Sequence, residues 1–309
     1  MIGTNVSSPY YAELLTRGRV QAAPQLDLKP PVLRAYYNRQ PFTIGHRLAE
    51  HTAFTLPALF ALCRRMPEEK ILYRIGKIPG DAELDSSYDR YKEGLTLDDV
   101  LTHFEERQAY ICINNPELDA RYKPLIEGLI GEIAAQTDAI DGDMTWYSTY
   151  VFISARDSVT PYHMDRELNF LLQIRGNKTV YLWDPADEEI MSPAEKDLLL
   201  ARSGARPGYK PSFEPKAMRY TLEPGLGVHH PFIAPHRVHT GPALSISLAL
   251  TFRTRRSDMQ TDAHRFNARM RRLGLEPGAV GKHDFVDRAK SELARISQRV
   301  RGKKRVPVA

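Results

Sequence analysis

TPYHMDRELNFLLQIRGNK, residues 160–178, is the stretch that says most about the fold and chemistry of this chain of 309 residues. It contains a His-x-Asp pair, His163 and Asp165, directly after Thr160 and Pro161. The proline keeps the backbone before it extended. Side chains two residues apart on an extended segment point the same way, so an imidazole and a carboxylate can reach one metal ion. A surface loop is the alternative interpretation of so short a pair.

The second half of the stretch predicts two strands joined by a turn. An apolar strand over residues 169–175 leads to a turn at Gly176, and the next strand begins at Lys178. Lys178 would share a face with Val180 and Leu182. A lysine that points inward with two aliphatic residues needs an anionic partner, because the desolvation of its ammonium is otherwise too costly. The alternative is a lysine at a strand end whose ammonium reaches solvent.

A third candidate ligand, His236, lies far downstream in the sequence. Two imidazoles and one carboxylate are the set that holds a non-haem ferrous ion on one face. Half of the coordination sphere then stays open for a cosubstrate and oxygen. His239 is an alternative third ligand, whereas His229 and His230 are expected at a pocket mouth or in solvent.

These segments resemble a known family. Residues 160–178 match, without a gap, the motif TPxHxDxxxNFxxQIxGxK of the JmjC-type cupin oxygenases, and they look most like the factor-inhibiting-HIF-like hydroxylases. Residues 222–238, LEPGLGVHHPFIAPHRV, are similar to the family's second motif, a strand pair that carries a histidine. Residues 245–252 resemble its last core strand. The motifs are specific for the superfamily but say little about the substrate.

The resemblance implies a mainly β fold, a double-stranded β-helix (jelly-roll, cupin) core surrounded by helices and followed by C-terminal helices. It makes His163, Asp165 and His236 the iron ligands. The presence of Asp165 favours hydroxylation, because related halogenases lack this carboxylate. Leu226 stands where the family has an aspartate, a departure that affects a turn more than the metal.

The same resemblance implies a 2-oxoglutarate site. Lys178 and Thr160 would hold the distal carboxylate, and Tyr110 matches, more loosely, a strand tyrosine that also touches it. Asn169 would line the cosubstrate pocket. Thr251 stands where the most similar relatives have an asparagine near the cosubstrate, so this contact departs from the family pattern.

The implied function is an Fe(II)- and 2-oxoglutarate-dependent dioxygenase that uses O2 to hydroxylate an unactivated carbon of a small molecule, an amino-acid derivative or a peptide. One alternative is a JmjC-type demethylase, and another is a non-enzymatic cupin-fold metal sensor that binds DNA. Substrate contacts are expected from the N-terminal half and from residues 185–219, where the resemblance is weakest.

Charge divides the chain into a body and a tail. The net charge is +5, but from Arg253 to the end sixteen Lys and Arg stand against six Asp and Glu, so the tail carries +10 and the body −5. An acidic body makes a nucleic-acid groove at the active site unexpected. We expect a catalytic domain over residues 1–256 and a basic helical extension over residues 257–309. The resemblance to hydroxylases whose C-terminal helices pair across a two-fold axis implies a homodimer through this extension.

Targeting features point to the cytoplasm. The sequence contains no apolar run long enough to cross a membrane and no secretory leader. Cys63 and Cys112 are the only cysteines and form no CxxC pair, which favours a reducing compartment and excludes a zinc site built on thiolates.

Periodicity predicts most of the elements. In the first half it indicates strands at 41–45, 71–78 and 109–113, helices at 55–65, 97–106 and 124–136, and a stiff connection at Lys29-Pro30-Pro31. Strands are then predicted at 146–154, 169–175, 179–183, 217–222 and 244–253. In the tail, Ser257 and Gln260 have the spacing of a capping box. Two apolar helical faces follow, one at Met259, Ala263, Phe266, Met270 and Leu273, the other at Phe285, Ala289, Leu293, Ile296 and Val300.

Overall fold

Two antiparallel sheets organise the chain. The computed structural model describes residues 4–5, 23–79, 84–92, 94–203 and 206–303. The strands are β1 Thr4–Asn5, β2 Leu26–Asp27, β3 Thr43–His46, β4 Ile71–Arg74, β5 Tyr110–Asn114, β6 Met144–Ser154, β7 Val159–Met164, β8 Leu168–Arg175, β9 Lys178–Leu182, β10 Met218–Leu222, β11 Leu226–His230, β12 Pro235–Thr240 and β13 Ser245–Thr254.

The last eight strands divide equally between the sheets. The larger sheet has the order β2-β3-β11-β8-β13-β6-β5-β4 with β1 paired to β6, and the smaller has the order β10-β9-β12-β7. Side chains of both sheets meet in one apolar cluster, with Leu171 and Ala249 from the larger sheet and Val180, Leu182 and Val238 from the smaller. This is a double-stranded β-helix, so the predicted fold class is confirmed.

Eight helices surround this core in the described residues. They are α1 Pro30–Tyr36, α2 Leu56–Arg65, α3 Leu84–Arg90, α4 Leu97–Thr102, α5 Lys123–Asp141, α6 Pro193–Leu200, α7 Arg255–Arg272 and α8 Asp284–Lys303. None of them combines the length and apolar content that a membrane span requires.

Strand β8 shows how the core is covered. Seven of its eight residues are buried. Leu171 faces the smaller sheet, whereas Phe170 and Leu172 belong to the main core together with Ile126 and Leu129 of α5. Because both faces are covered, apolar residues occupy both faces of the strand, and its buried part contains only two polar residues, Asn169 and Gln173.

The N-terminal half contains helices that periodicity missed. Pro30 and Pro31 lie in the first turn of α1, where a missing N–H costs nothing, so the expected stiff connection was wrong. Helix α3 was also missed, as was α6 in the C-terminal half. Thr96 and Asp99 form a reciprocal capping box at the start of α4.

The first tail helix begins earlier than predicted. β13 runs directly into α7, and Thr254 is the N-cap with Ser257 at the third helical position, so the predicted capping box at Ser257 was wrong. The buried residues of this helix are mostly polar, and of the expected apolar face only Ala263 is among them. His264 Nδ1 lies 2.7 Å from Asp197 Oδ1 of α6, whereas Leu273 is 72% exposed.

The second tail helix also packs through its less apolar side. Its buried residues include Asp287, Lys290, Ser291 and Ala294. Lys290 and Asp287 are bonded to the backbone of the preceding loop, at Gly278 and Gly281. The apolar face predicted for this helix is therefore directed outward at Phe285, Ala289, Leu293 and Ile296. The side chain of Val300 lies outside the described residues.

The turn between β8 and β9 requires a glycine. Gly176 has a φ of +65°, and a Cβ placed there would lie 2.3 Å from the carbonyl oxygen of Leu244. A side chain at this position would thus meet both backbone strain and a clash with backbone. The turn sets Lys178 as the first residue of β9.

Candidate metal and cosubstrate site

His163, Asp165 and His236 converge at one point between neighbouring strands. His163 on β7 is the register partner of His236 on β12, and Asp165 follows the end of β7. His163 Nε2 lies 3.8 Å from Asp165 Oδ1, and His236 Nε2 lies 3.9 Å from Asp165 Oδ2. One ligand atom from each residue lies within 4.8 Å of the others. Two octahedral ligands bonded at about 2.1 Å lie about 3 Å apart, so metal binding would need movements below about an ångström.

Backbone carbonyls orient both imidazoles. The Nδ1 atom of His163 lies 2.8 Å from the Pro161 oxygen, and that of His236 lies 3.0 Å from the Ala234 oxygen. A carbonyl can only accept, so each Nδ1 carries the proton and donates it. Each Nε2 then presents a lone pair towards Asp165, the arrangement in which histidines hold metals.

The protonation states also suit a metal. Burial and the nearby His236 lower the pKa of His163, so its ring stays neutral. Burial opposes ionisation of Asp165, but the charges of neighbouring groups, among them Arg206 and Arg166, outweigh it and hold the pKa of its carboxyl below the ordinary value. A neutral imidazole and an ionised carboxylate are the forms that coordinate a cation. The donor set therefore fits a ferrous ion.

The alternative ligand His239 lies away from this centre. Its half-buried ring packs 5.2 Å from the ring of Tyr181. It is absent both from the metal-ligand group found in the described residues and from the lining of the cavity beside that group. The geometry favours His236 over His239.

His229 and His230 are both buried, so the expectation that they face a pocket mouth or solvent was wrong. His229 donates from Nδ1 to the Asn169 oxygen and accepts at Nε2 from the Asn38 N–H, which makes it part of the core. The ring of His230 lies 4.6 Å from that of His236, and neither of its nitrogens has a hydrogen-bond partner in the described residues.

Lys178 lies inside the β-helix, not at a solvated strand end. It is 3% exposed, and its Nζ donates to Ser247 Oγ over 2.8 Å. No carboxylate of the described residues forms an ion pair with it. Burial lowers the pKa of this lysine to about 7. Nearby, the hydroxyls of Tyr110 and Thr160 lie 3.3 Å apart.

Asn169 and Thr251 are neighbours on adjacent strands of the larger sheet. The Thr251 hydroxyl donates to the Ser148 carbonyl, which fixes its orientation. The Asn169 side-chain oxygen is buried and has no partner in the described residues. Buried polar atoms of this kind usually bond to a protein group, a water molecule or a ligand.

A cavity of about 210 Å³ brings all of these groups together. It is lined by every residue that the sequence nominated, namely Tyr110, Thr160, His163, Asp165, Asn169, Lys178, His236 and Thr251. Sequence reasoning did not assign Leu72, Tyr88, Cys112, Asn114, Phe152, Glu167, Leu171, Arg206, His230, Val238 and Ala249 to it. Several of these could have been found from strand alternation, because Cys112 and Asn114 follow Tyr110 at steps of two.

The family model described as the cupin-like domain matches residues 78–279, more than half of the chain. The chain belongs to the cupin-like domain family. This membership confirms the JmjC/cupin type that residues 160–178 indicated. The match runs through the strands that carry His163, Lys178 and His236 of this cupin-like protein.

Solved structures similar to this cupin-like chain include those of YcfD from Escherichia coli. The X-ray structure of YcfD gives a TM-score of 0.46 at 13% identity, covering 89% of this chain and 68% of that one. The structure of YcfD, a ribosomal oxygenase, with cobalt and 2-oxoglutarate gives 0.46 at 13%, covering 89% and 67%. The complex with cobalt and succinic acid gives 0.44 at 12%, again covering 89% and 67%. No curated protein matches the chain.

Proposed function

We propose that this protein is an Fe(II)- and 2-oxoglutarate-dependent dioxygenase that hydroxylates an unactivated carbon. One observation carries the proposal: a three-residue metal-ligand group and a buried lysine, with no carboxylate partner among the described residues, line the same cavity. The reaction would convert R–H, O2 and 2-oxoglutarate into R–OH, succinate and CO2. A bound ferrous ion supplies the activation of oxygen that couples these two oxidations.

The residues of the chain bind and position the reactants. His163, Asp165 and His236 would hold the ferrous ion from one side, which leaves the side that faces the cavity for the cosubstrate and oxygen. The backbone bonds of the two histidines keep their Nε2 atoms aimed at the ion. A rigid ligand set of this kind avoids reorganisation during the reaction.

The distal carboxylate of 2-oxoglutarate would bind at the Lys178 end of the cavity. Thr160 and Tyr110 would add hydroxyl donors, and Asn169 and Thr251 would flank the cosubstrate along β8 and β13. The apolar walls at Leu171, Val238 and Ala249 exclude water from the reacting atoms.

We place the substrate among small molecules, amino-acid derivatives and single side chains of peptides. The cavity is small for a site that must also hold 2-oxoglutarate. We further propose that residues 257–309 form a helical extension that pairs two copies, and that the protein acts in the cytoplasm, where its two free buried cysteines stay reduced.

The proposal is tested by anaerobic loading of the purified protein with ferrous iron, followed by addition of 2-oxoglutarate and oxygen. We expect slow succinate formation even without a substrate, and almost none in His163→Ala, which lacks one ligand but should keep the fold. Equal succinate formation by wild type and His163→Ala would refute the assignment.

Mass spectrometry of the converted substrate separates the two oxidative chemistries. Hydroxylation adds one oxygen to the substrate. Demethylation would remove a methyl group and release formaldehyde instead.

A further inference from the structure

His230 differs from every other buried histidine in the part of the chain that the structure describes. It is 3% exposed, and neither of its ring nitrogens has a hydrogen-bond partner there. The remaining buried histidines each bond to a carbonyl or carboxylate oxygen, namely His46, His163, His229, His236 and His264. A buried imidazole without a partner is destabilising, because it gives up its hydrogen bonds to water and gains none in return. His230 therefore has a bonding capacity that the described residues leave unused.

Strand pairing places His230 in a polar row across the larger sheet. On β11 it stands opposite Asn169 of β8, and Asn169 stands opposite Thr251 of β13. Residues directly opposite in antiparallel strands share a face, and all three line the cavity. The side-chain oxygen of Asn169 also has no partner among the described residues. Two unsatisfied polar groups thus lie side by side on one wall of the cavity.

This row lies at the metal end of the cavity. The ring of His230 is 4.6 Å from that of the metal ligand His236, in an edge-to-face contact. The ammonium of Lys178 bonds to Ser247, four residues before Thr251 on β13. Four residues of a strand span about 14 Å, at about 3.4 Å per residue. His230 and Lys178 therefore mark opposite ends of the site.

We propose that His230 binds the carboxylate next to the 2-oxo group of 2-oxoglutarate through an imidazole N–H. This rests on the proposed function, in which that end of the cosubstrate chelates the metal. A 2-oxo acid chelates through its keto oxygen and one carboxylate oxygen, so the second carboxylate oxygen is left to accept a hydrogen bond. An imidazole carries at least one N–H donor in either protonation state. His230 thus recognises one carboxylate of the cosubstrate and Lys178 the other.

The test uses full-length protein loaded with zinc and titrated calorimetrically with 2-oxoglutarate. His230→Leu removes the donor, whereas His230→Gln keeps an N–H. We expect His230→Leu to weaken binding at least about tenfold, or about 1.4 kcal/mol, because a hydrogen bond to a charged group is lost, and His230→Gln to recover part of the loss. His239→Leu is the matched control and should bind like wild type, because its half-buried ring packs against Tyr181 and does not line the cavity.

Two further measurements separate binding by His230 from support of its neighbour His236. Zinc affinity of the metal-free protein should be the same in wild type and His230→Leu, whereas loss of support for a metal ligand would lower it. Thermal unfolding of metal-free His230→Leu should occur at an equal or higher temperature than in wild type, because an apolar group replaces an unsatisfied polar one. A fall in zinc affinity as large as the fall in 2-oxoglutarate affinity would overturn the proposal.

Two analogues assign the carboxylate that His230 recognises. 2-Oxopentanoate keeps the 2-oxo acid end of 2-oxoglutarate and lacks the distal carboxylate, and 4-oxopentanoate keeps the distal carboxylate and lacks the other. In ligand-observed NMR titrations, His230→Leu should weaken 2-oxopentanoate by about the same factor as 2-oxoglutarate and leave 4-oxopentanoate unchanged. Lys178→Ala should leave 2-oxopentanoate unchanged.

An unchanged 2-oxoglutarate affinity in His230→Leu would mean that only water bonds to this imidazole, and it would overturn the proposal. So would a loss of affinity confined to 4-oxopentanoate. A wild-type protein that binds zinc but no 2-oxoglutarate would overturn the proposed function itself, so the two failures are distinguishable.

Discussion

Lys178 is the residue on which the cosubstrate assignment depends most. Its ammonium should form a charge-assisted hydrogen bond to 2-oxoglutarate, worth roughly 1.5 to 3 kcal/mol. We therefore expect Lys178→Ala to weaken 2-oxoglutarate binding by about tenfold to a hundredfold, with metal affinity little changed. Lys178→Arg should recover only part of the loss, because the guanidinium is larger and needs another approach. Calorimetric titration of the zinc-loaded protein measures the affinity for 2-oxoglutarate, and titration of the metal-free protein with zinc measures the affinity for the metal. An unchanged 2-oxoglutarate affinity in Lys178→Ala would remove this residue from the site.

The low pKa of Lys178 predicts a pH dependence with a definite sign. Burial lowers the pKa of this lysine to about 7, so above that pH the free protein must take up a proton to bind the dianion. Affinity for 2-oxoglutarate should be nearly constant below this pKa and should fall by up to about tenfold per pH unit above it. In Lys178→Arg the guanidinium stays charged, and its weaker affinity should not vary over the same range. Parallel pH profiles for the two proteins would contradict this explanation.

The third metal ligand is decided by comparing two histidines of one strand. His236→Ala should lose most of its ferrous-iron affinity, because one of three ligands is removed from the site. His239→Ala is the matched control and should keep wild-type affinity, since its ring packs against Tyr181. Equilibrium competition with a chelator measures both variants. The reverse pattern would move the ligand to His239.

The site residues that could be predicted from the sequence are those whose residue types are unusual at their positions in a strand. A His-x-Asp pair and an inward-facing lysine are visible in a single segment. His230 and Arg206 were missed, because their position at the cavity depends on strand pairing and on a loop packed back over the barrel. No local pattern marks either residue.

At the scale of elements, the turn before Lys178 is expected to require the glycine at position 176. Gly176→Ala combines a positive φ with a clash against the Leu244 carbonyl, and we expect a loss of about 2 to 5 kcal/mol of folding free energy. Gly274→Ala is the matched control, because Gly274 has a φ of +79° but a Cβ added there would meet nothing within 4 Å. It should lose only about 1 to 2 kcal/mol. Denaturant unfolding measures both, and equal losses would show that the clash is relieved by local movement.

The accuracy of the predicted elements follows from their burial. Buried strands rich in apolar residues, such as β8 and β13, were found to within a residue or two. β7, β11 and β12 contain histidines, prolines or glycines, which weaken a strand pattern. For β11 and β12 only the family resemblance indicated a strand. The tail helices were located correctly, but their packed faces were not. Their buried side is held by polar pairs such as His264 with Asp197, which apolar periodicity cannot register.

At the scale of the whole molecule, the distribution of charge could not be read from the sequence. Counting charges gave an acidic body and a basic tail. The fold nevertheless gathers arginines from three separate parts of the chain, at Arg166, at Arg202 and Arg206, and at Arg253, around one recess. The distribution of charge around the site thus depends on topology and cannot be derived from the average of the body.

The outward apolar face of α8 predicts an association between two copies of the chain. Phe285 is 84% exposed, Leu293 52% and Ile296 54%, and together they form a stripe along one side of the helix. A stripe of this kind usually marks an interface. In a two-fold dimer each substitution acts twice, so Leu293→Glu with Ile296→Glu should weaken association by at least about a hundredfold.

Sedimentation equilibrium measures this association directly. Wild type should be dimeric at micromolar concentration and the double variant monomeric, with succinate formation retained in both. Leu118→Glu is the matched control, because Leu118 is 56% exposed but lies in the short 3-10 helix Pro116–Leu118, away from the tail. It removes a similar apolar area without touching α8 and should leave the dimer intact. A wild-type protein that stays monomeric at tens of micromolar would show that the stripe serves another partner or none, because an interface built on these side chains would be populated at that concentration.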